Sequence, residues 1–205
     1  RYKGGNGDWM PGVRRVLTIA HGTAGAMALG VPGNKLDGVT YSGQKVVGGV
    51  GAHGMRILSP LAVERLETYT PPWPMPKVFT MAKGGKLMEG IFRGETINTP
   101  SMIAVEDALD GLKWAESIGG LSALIKRSNA NLAALEAWVE NSDWCAFLAE
   151  DPAVRSNTSV CLKVKDEKFN AMDAKNQATA LKLMVTLLND EGVAYDIGAY
   201  RDAPA

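Results

Sequence analysis

Val39-Thr40-Tyr41-Ser42-Gly43-Gln44-Lys45-Val46-Val47-Gly48-Gly49 is the stretch on which the fold of this chain turns. Val39 to Ser42 is β-branched and aromatic, the composition of a buried strand. Lys45 follows almost at once, and Gly48, Gly49, Gly51 and Gly54 let the backbone come close to whatever that lysine reaches. An ammonium must lose its proton before it can attack a carbonyl carbon, and a partly desolvated strand end lowers that cost. A solvated lysine in a flexible turn would satisfy the same local pattern.

Working outward, Val16-Leu17-Thr18-Ile19-Ala20 is a short buried-strand candidate followed by a turn at His21-Gly22. Downstream, His53 to Leu58 is a third strand, and Ser59-Pro60 opens a helix running to Tyr69. Gly49-Val50-Gly51-Ala52-His53-Gly54 also matches G-x-G-x-x-G, which raises a dinucleotide-dependent oxidoreductase as an alternative. That fingerprint should open a helix, whereas here it opens a strand.

Pro71, Pro72, Pro74 and Pro76 end all periodicity, and the segment to Pro100 reads as a long irregular loop. Thr99 then suits an N-cap and Pro100 the first helical position, so a helix start with free donors and an anion-attracting dipole is expected beside Asn98 and Thr99. Met102, Val105, Leu109 and Leu112 mark the inward face of that helix, and Leu121, Leu124, Leu132, Leu135 and Val139 that of the next. Ser159–Val164 as strand, Asp173–Asp190 as helix and Val193–Ile197 as strand then give a small α/β domain. The expected organisation is residues 1–117 in a large domain and 118–205 in a small one.

The totals narrow the function classes. Lys plus Arg number 22 and Asp plus Glu 22, so no net field holds the molecule against nucleic acid or an anionic membrane. No apolar run approaches the roughly 20 residues of a membrane helix. Cys145 and Cys161 lack metal-like spacing, and with only two histidines, His21 and His53, a metal site is not expected. Two cysteines are not a secreted disulfide scaffold, so a reducing cytoplasm is the expected compartment. The chain begins with Arg1 and ends Ala203-Pro204-Ala205, and both ends read as cuts.

Four blocks taken together carry a resemblance: Tyr41-Ser42-Gly43-Gln44-Lys45, Lys83-Gly84-Gly85-Lys86-Leu87, Thr96-Ile97-Asn98-Thr99-Pro100-Ser101-Met102 and Arg155-Ser156-Asn157-Thr158-Ser159. In order and spacing they resemble the phosphoserine aminotransferases, especially the alphaproteobacterial type. The resemblance implies a fold-type I, aspartate aminotransferase-like α/β architecture with pyridoxal 5'-phosphate as cofactor, working as a cytoplasmic homodimer. It makes Lys45 the Schiff-base lysine that also shuttles the substrate α-proton. Gln44 would meet the cofactor phosphate, and Asn98 and Thr99 the phosphate of the cofactor held mainly by the other subunit. Arg201 would face the substrate's anionic groups. The implied reaction passes an amino group between glutamate and 3-phosphohydroxypyruvate in serine biosynthesis, with a related phosphorylated substrate in vitamin B6 synthesis.

Three positions depart from the family pattern. His21 stands where an Asp pairs with the protonated pyridine nitrogen, Gly43 where a Trp is usual, and Val50 where a Glu is usual. The resemblance also places the ring-stacking aromatic residue, another phosphate loop and a substrate arginine ahead of this stretch, with a further arginine and closing strand just past Pro204. A non-catalytic relic of the family is therefore the second reading.

Overall fold

The computed structural model describes residues 16–51 and 53–198. The described residues divide into two compact units, with the boundary between Ile125 and Lys126.

In the first unit, β1 (Ile19–His21), β2 (Gly38–Tyr41) and β3 (Met55–Leu58) form one sheet in the order β1-β2-β3. β1 and β2 are parallel, with Ile19 opposite Gly38 and His21 opposite Thr40, while β2 and β3 are antiparallel. The parallel pair needs a crossover, and residues 22–37 supply it with turns and a short 3-10 helix at Gly33–Lys35. All three strands overlap the expected runs, with ends displaced by up to three residues.

Helix α1 (Pro60–Thr68) starts as its sequence dictates: the Ser59 hydroxyl accepts from Ala62 N, and Pro60 occupies the first turn, where no donor is needed. Asp37 ties this helix to the sheet. Its carboxylate accepts from Thr18 N at 3.0 Å and from the Ser59 hydroxyl at 3.1 Å, and the side chain is almost wholly buried at the amino end of β2. The loop from 69 to 101 contains a two-stranded hairpin, β4 (Ala82–Lys83) and β5 (Lys86–Leu87), whose Gly84 and Gly85 turn the chain at positive φ.

Helix α2 (Met102–Ser117) corrects two expectations. Its N-cap is Ser101, whose hydroxyl accepts from Ala104 N, so Thr99 and Pro100 precede the helix. Its buried residues are Ala104, Gly111 and Ala115, whereas Met102, Leu109 and Leu112 are exposed. Small side chains let the helix backbone sit close to its neighbour, and the bulky stripe is turned outward. Gly119 and Gly120, both at positive φ, turn the chain between α2 and α3 (Gly120–Glu140), Gly120 being the first residue of α3.

The second unit pairs β6 (Cys145–Phe147) antiparallel to β7 (Leu162–Val164). Val139, Cys145 and Phe147 form its buried cluster, with Leu132, Val160 and Leu162 packed against it. Arg155 lies over the Phe147 ring at 3.8 Å and pairs with Glu136 of α3 at 2.6 Å. α4 (Glu167–Asn170) and α5 (Ala174–Asp190) follow, each capped by an aspartate, Asp166 and Asp173. The expected strand at Val193–Ile197 is absent: Gly192 turns the chain at φ 69°, and Asp196 at φ 53° prevents extension. Among the described residues no helix is long and apolar enough to cross a membrane.

Candidate cofactor site at the sheet's carboxyl edge

Because β1 and β2 run parallel, their carboxyl ends open on the same edge of the sheet, the place where α/β folds bind ligands. β1 ends at His21. β2 ends at Tyr41, and the turn beyond it carries Gln44 and Lys45. The structure thus brings two of the expected site residues, an imidazole and a primary amine, to one edge from strands that are neighbours in space though distant in sequence.

The Lys45 turn is held by its own backbone. Gly48 N donates to Lys45 O at 3.3 Å, and Gly49 N to Gly43 O at 3.2 Å. Gly48 has φ 70°, which a side chain would disfavour. The Gln44 side chain rests against Gly51, and a Cβ there would lie 3.4 Å from the Gln44 carboxamide. Helix α2 reaches this turn through Gly111, whose absent Cβ would sit 2.5 Å from the Val47 carbonyl oxygen. Lys45 itself is exposed, and among the described residues its amine makes neither ion pair nor hydrogen bond.

On the β1 side, the His21 ring is exposed, and its Nε2 lies 3.5 Å from the Thr23 hydroxyl. Thr23 is buried, and sequence reasoning passed over it; a hydroxyl two residues past a strand end is too common to stand out.

Asn98 and Thr99 are exposed in the segment leading to α2. The Asn98 side-chain oxygen accepts from Thr99 N at 2.8 Å, and the Asn98 amide hydrogens and the Thr99 hydroxyl have no partner among the described residues. No hydrogen bond joins either residue to the Lys45 turn among the described residues. Arg201 lies outside the described residues. No group of three or more His, Cys, Asp or Glu that could hold a metal occurs among the described residues.

With this geometry in hand, comparison with known proteins is direct. No family model matches the chain. It is 55% identical over 202 residues to the phosphoserine aminotransferases of Methanosarcina mazei and Methanosarcina barkeri, covering 98% of this chain and 51% of each relative. A putative phosphoserine aminotransferase of Mycobacterium leprae is 27% identical over 161 residues. The chain spans about half the length of the curated relatives it matches.

Among solved structures, the pyridoxal phosphate-bound phosphoserine aminotransferase of Trichomonas vaginalis superimposes with a TM-score of 0.68 at 17% identity, over 93% of this chain and 48% of that one. The phosphoserine aminotransferase of Bacillus circulans subsp. alkalophilus gives 0.62 at 18% identity, over 90% of this chain and 45% of that one. The chain therefore has the α/β fold of part of a pyridoxal phosphate-dependent aminotransferase. The Methanosarcina phosphoserine aminotransferases are its homologues.

Proposed function

We propose that this chain is the cofactor-lysine portion of a phosphoserine aminotransferase, moving an amino group between glutamate and 3-phosphohydroxypyruvate in serine biosynthesis. The observation that carries the reading is the shared edge: the parallel register of β1 and β2 ends both strands, at His21 and Tyr41, on the edge from which the Lys45 turn departs. The 55% identity to the Methanosarcina enzymes, maintained along nearly the whole chain, supplies the substrate class.

The residues present fit pyridoxal 5'-phosphate. Lys45 offers an amine with no partner among the described residues, Gln44 a carboxamide for phosphate, and His21 a ring nitrogen at the neighbouring strand end. When bound, that cofactor supplies the electron sink that lets an amino acid's α-proton leave. Lys45 Nζ would hold the cofactor and, once released from it, carry that proton. Asn98 and Thr99, exposed and with no hydrogen bond to their own Lys45 turn among the described residues, would serve a phosphate in the second subunit of a homodimer whose site is shared. Arg201 would bind the substrate's anionic groups, an arrangement suited to a planar guanidinium.

In this reading residues 1–117 belong to the large cofactor domain and 118–205 to the small domain, and the protein works in the cytoplasm. A role in pyridoxine synthesis would use the same site on a related phosphorylated substrate. The archaeal relatives neither support nor require the alphaproteobacterial type that the motif blocks resemble. The dinucleotide alternative has no structural counterpart, since Gly49 and Gly51 lie in a loop that enters β3 and no helix follows them directly. Titrating the protein, as part of its full-length parent, with pyridoxal phosphate tests the proposal. A visible absorbance band that Lys45→Ala removes, with the fold retained, is expected; a band that survives the substitution contradicts it.

A further inference from the structure

The turn after β1 makes one contact that the aminotransferase reading does not use. Gly22 N donates to Thr40 O at 2.7 Å, and Gly25 N and Ala26 N both donate to Gly22 O, at 3.0 and 2.6 Å. This folds the chain tightly against β2, buries Thr23, and sets its hydroxyl 3.5 Å from His21 Nε2. Among the described residues that hydroxyl has no other partner. The contact is part-buried, and among the described residues Nε2 is the one acceptor within reach of the hydroxyl proton.

We infer that Thr23 is a positioning residue that fixes the tautomer of His21, leaving Nε2 as acceptor from Thr23 and presenting Nδ1–H as a hydrogen-bond donor at the carboxyl edge of the sheet. In a neutral imidazole one nitrogen carries the proton and the other accepts, so engaging Nε2 by a donor sends the proton to Nδ1. The consequence rests on the proposed cofactor site: a donor at that place matches an unprotonated pyridine nitrogen. The carboxylate usual in the family matches a protonated one. His21 would then be a change in the kind of hydrogen bond offered to the cofactor ring.

The tautomer can be read without cofactor or activity. The full chain, labelled with 15N, is examined by long-range 1H–15N correlation above the ordinary imidazole titration range, at about pH 8. His21→Asn identifies the His21 signals by their loss. The wild-type spectrum should show Nε2 at the pyridine-like position and Nδ1 at the pyrrole-like one. Thr23→Val should reverse the two, restoring the Nε2–H form that a free imidazole favours, and Thr23→Ser should return the wild-type pattern. His53 should be the same throughout. A His21 carrying its proton on Nε2 in the wild-type protein, or an unchanged tautomer in folded Thr23→Val, overturns the inference. If Thr23→Val does not fold, the wild-type and Thr23→Ser spectra decide alone. Failure here with Lys45 still bearing the cofactor would sink the tautomer and leave the aminotransferase reading standing.

Discussion

Replacing Asp37 by alanine should loosen the sheet that presents His21 and Lys45, although Asp37 lies at the opposite end of the strands. Its carboxylate accepts from the Thr18 amide at 3.0 Å and the Ser59 hydroxyl at 3.1 Å, both in a buried setting. Hydrogen bonds to a charged group contribute about 1.5–3 kcal/mol each, so losing two costs about 3–6 kcal/mol before the relief of no longer burying a carboxylate. A net loss of about 3 kcal/mol is expected. Asp37→Asn should cost only about 1 kcal/mol, because the amide oxygen can still serve Thr18 and the Ser59 hydroxyl can turn to accept. The two compact units need not melt together, so the appropriate assay is native-state hydrogen exchange at the β2 amides rather than a global melt. The alanine variant should exchange about a hundredfold faster there, at 1.4 kcal/mol per decade. Exchange within threefold of wild type would refute the reasoning.

Three further outcomes follow from other contacts. Burial pushes the Cys145 thiol above its usual range, against a smaller opposing pull from Lys165, while Cys161 is exposed; iodoacetamide at pH 8 should therefore modify Cys161 well before Cys145, read by peptide mass spectrometry. Arg155→Met removes a charged partner from the half-exposed Glu136 and a cation from the Phe147 face, and should destabilise the second unit by about 2 kcal/mol in urea; Glu136→Gln should cost less, since Arg155 keeps its ring contact. In a full-length protein, His21→Asp should raise the rate of α-proton removal, measured by solvent exchange of that proton, because an anion at the end of β1 favours a protonated ring.

The strand and turn that carry Lys45 were more legible in the sequence than the packing around them. The β2 run, Lys45 and its glycines identify a strand followed by a close turn, and Ser59-Pro60 announces α1, because both signals are local and chemically specific. The start of α2 was misread for the same reason: Thr99-Pro100 matches a cap, yet Ser101 offers an equal hydroxyl two residues on and reaches Ala104 N. The face of α2 was misread because periodicity marks large side chains, whereas the close approach of Gly111 to Val47 selects small ones. β6 escaped notice because Cys145–Phe147 is too short to show alternation, and Asp37 because a buried acceptor leaves no pattern in sequence. Val193–Ile197 has strand composition, but the turn at Gly192 and the left-handed Asp196 override it.

The account stands or falls on Lys45. Lys83 and Lys86 also sit beside glycines, but they lie in the separate β4–β5 hairpin, whereas Lys45 lies in the turn that leaves β2 at the sheet's carboxyl edge. The full-length protein, loaded with pyridoxal phosphate and reduced with borohydride, should yield a single pyridoxyl-bearing peptide on digestion, with the label on Lys45. A label on Lys83 or Lys86 with Lys45 unmodified would contradict the account.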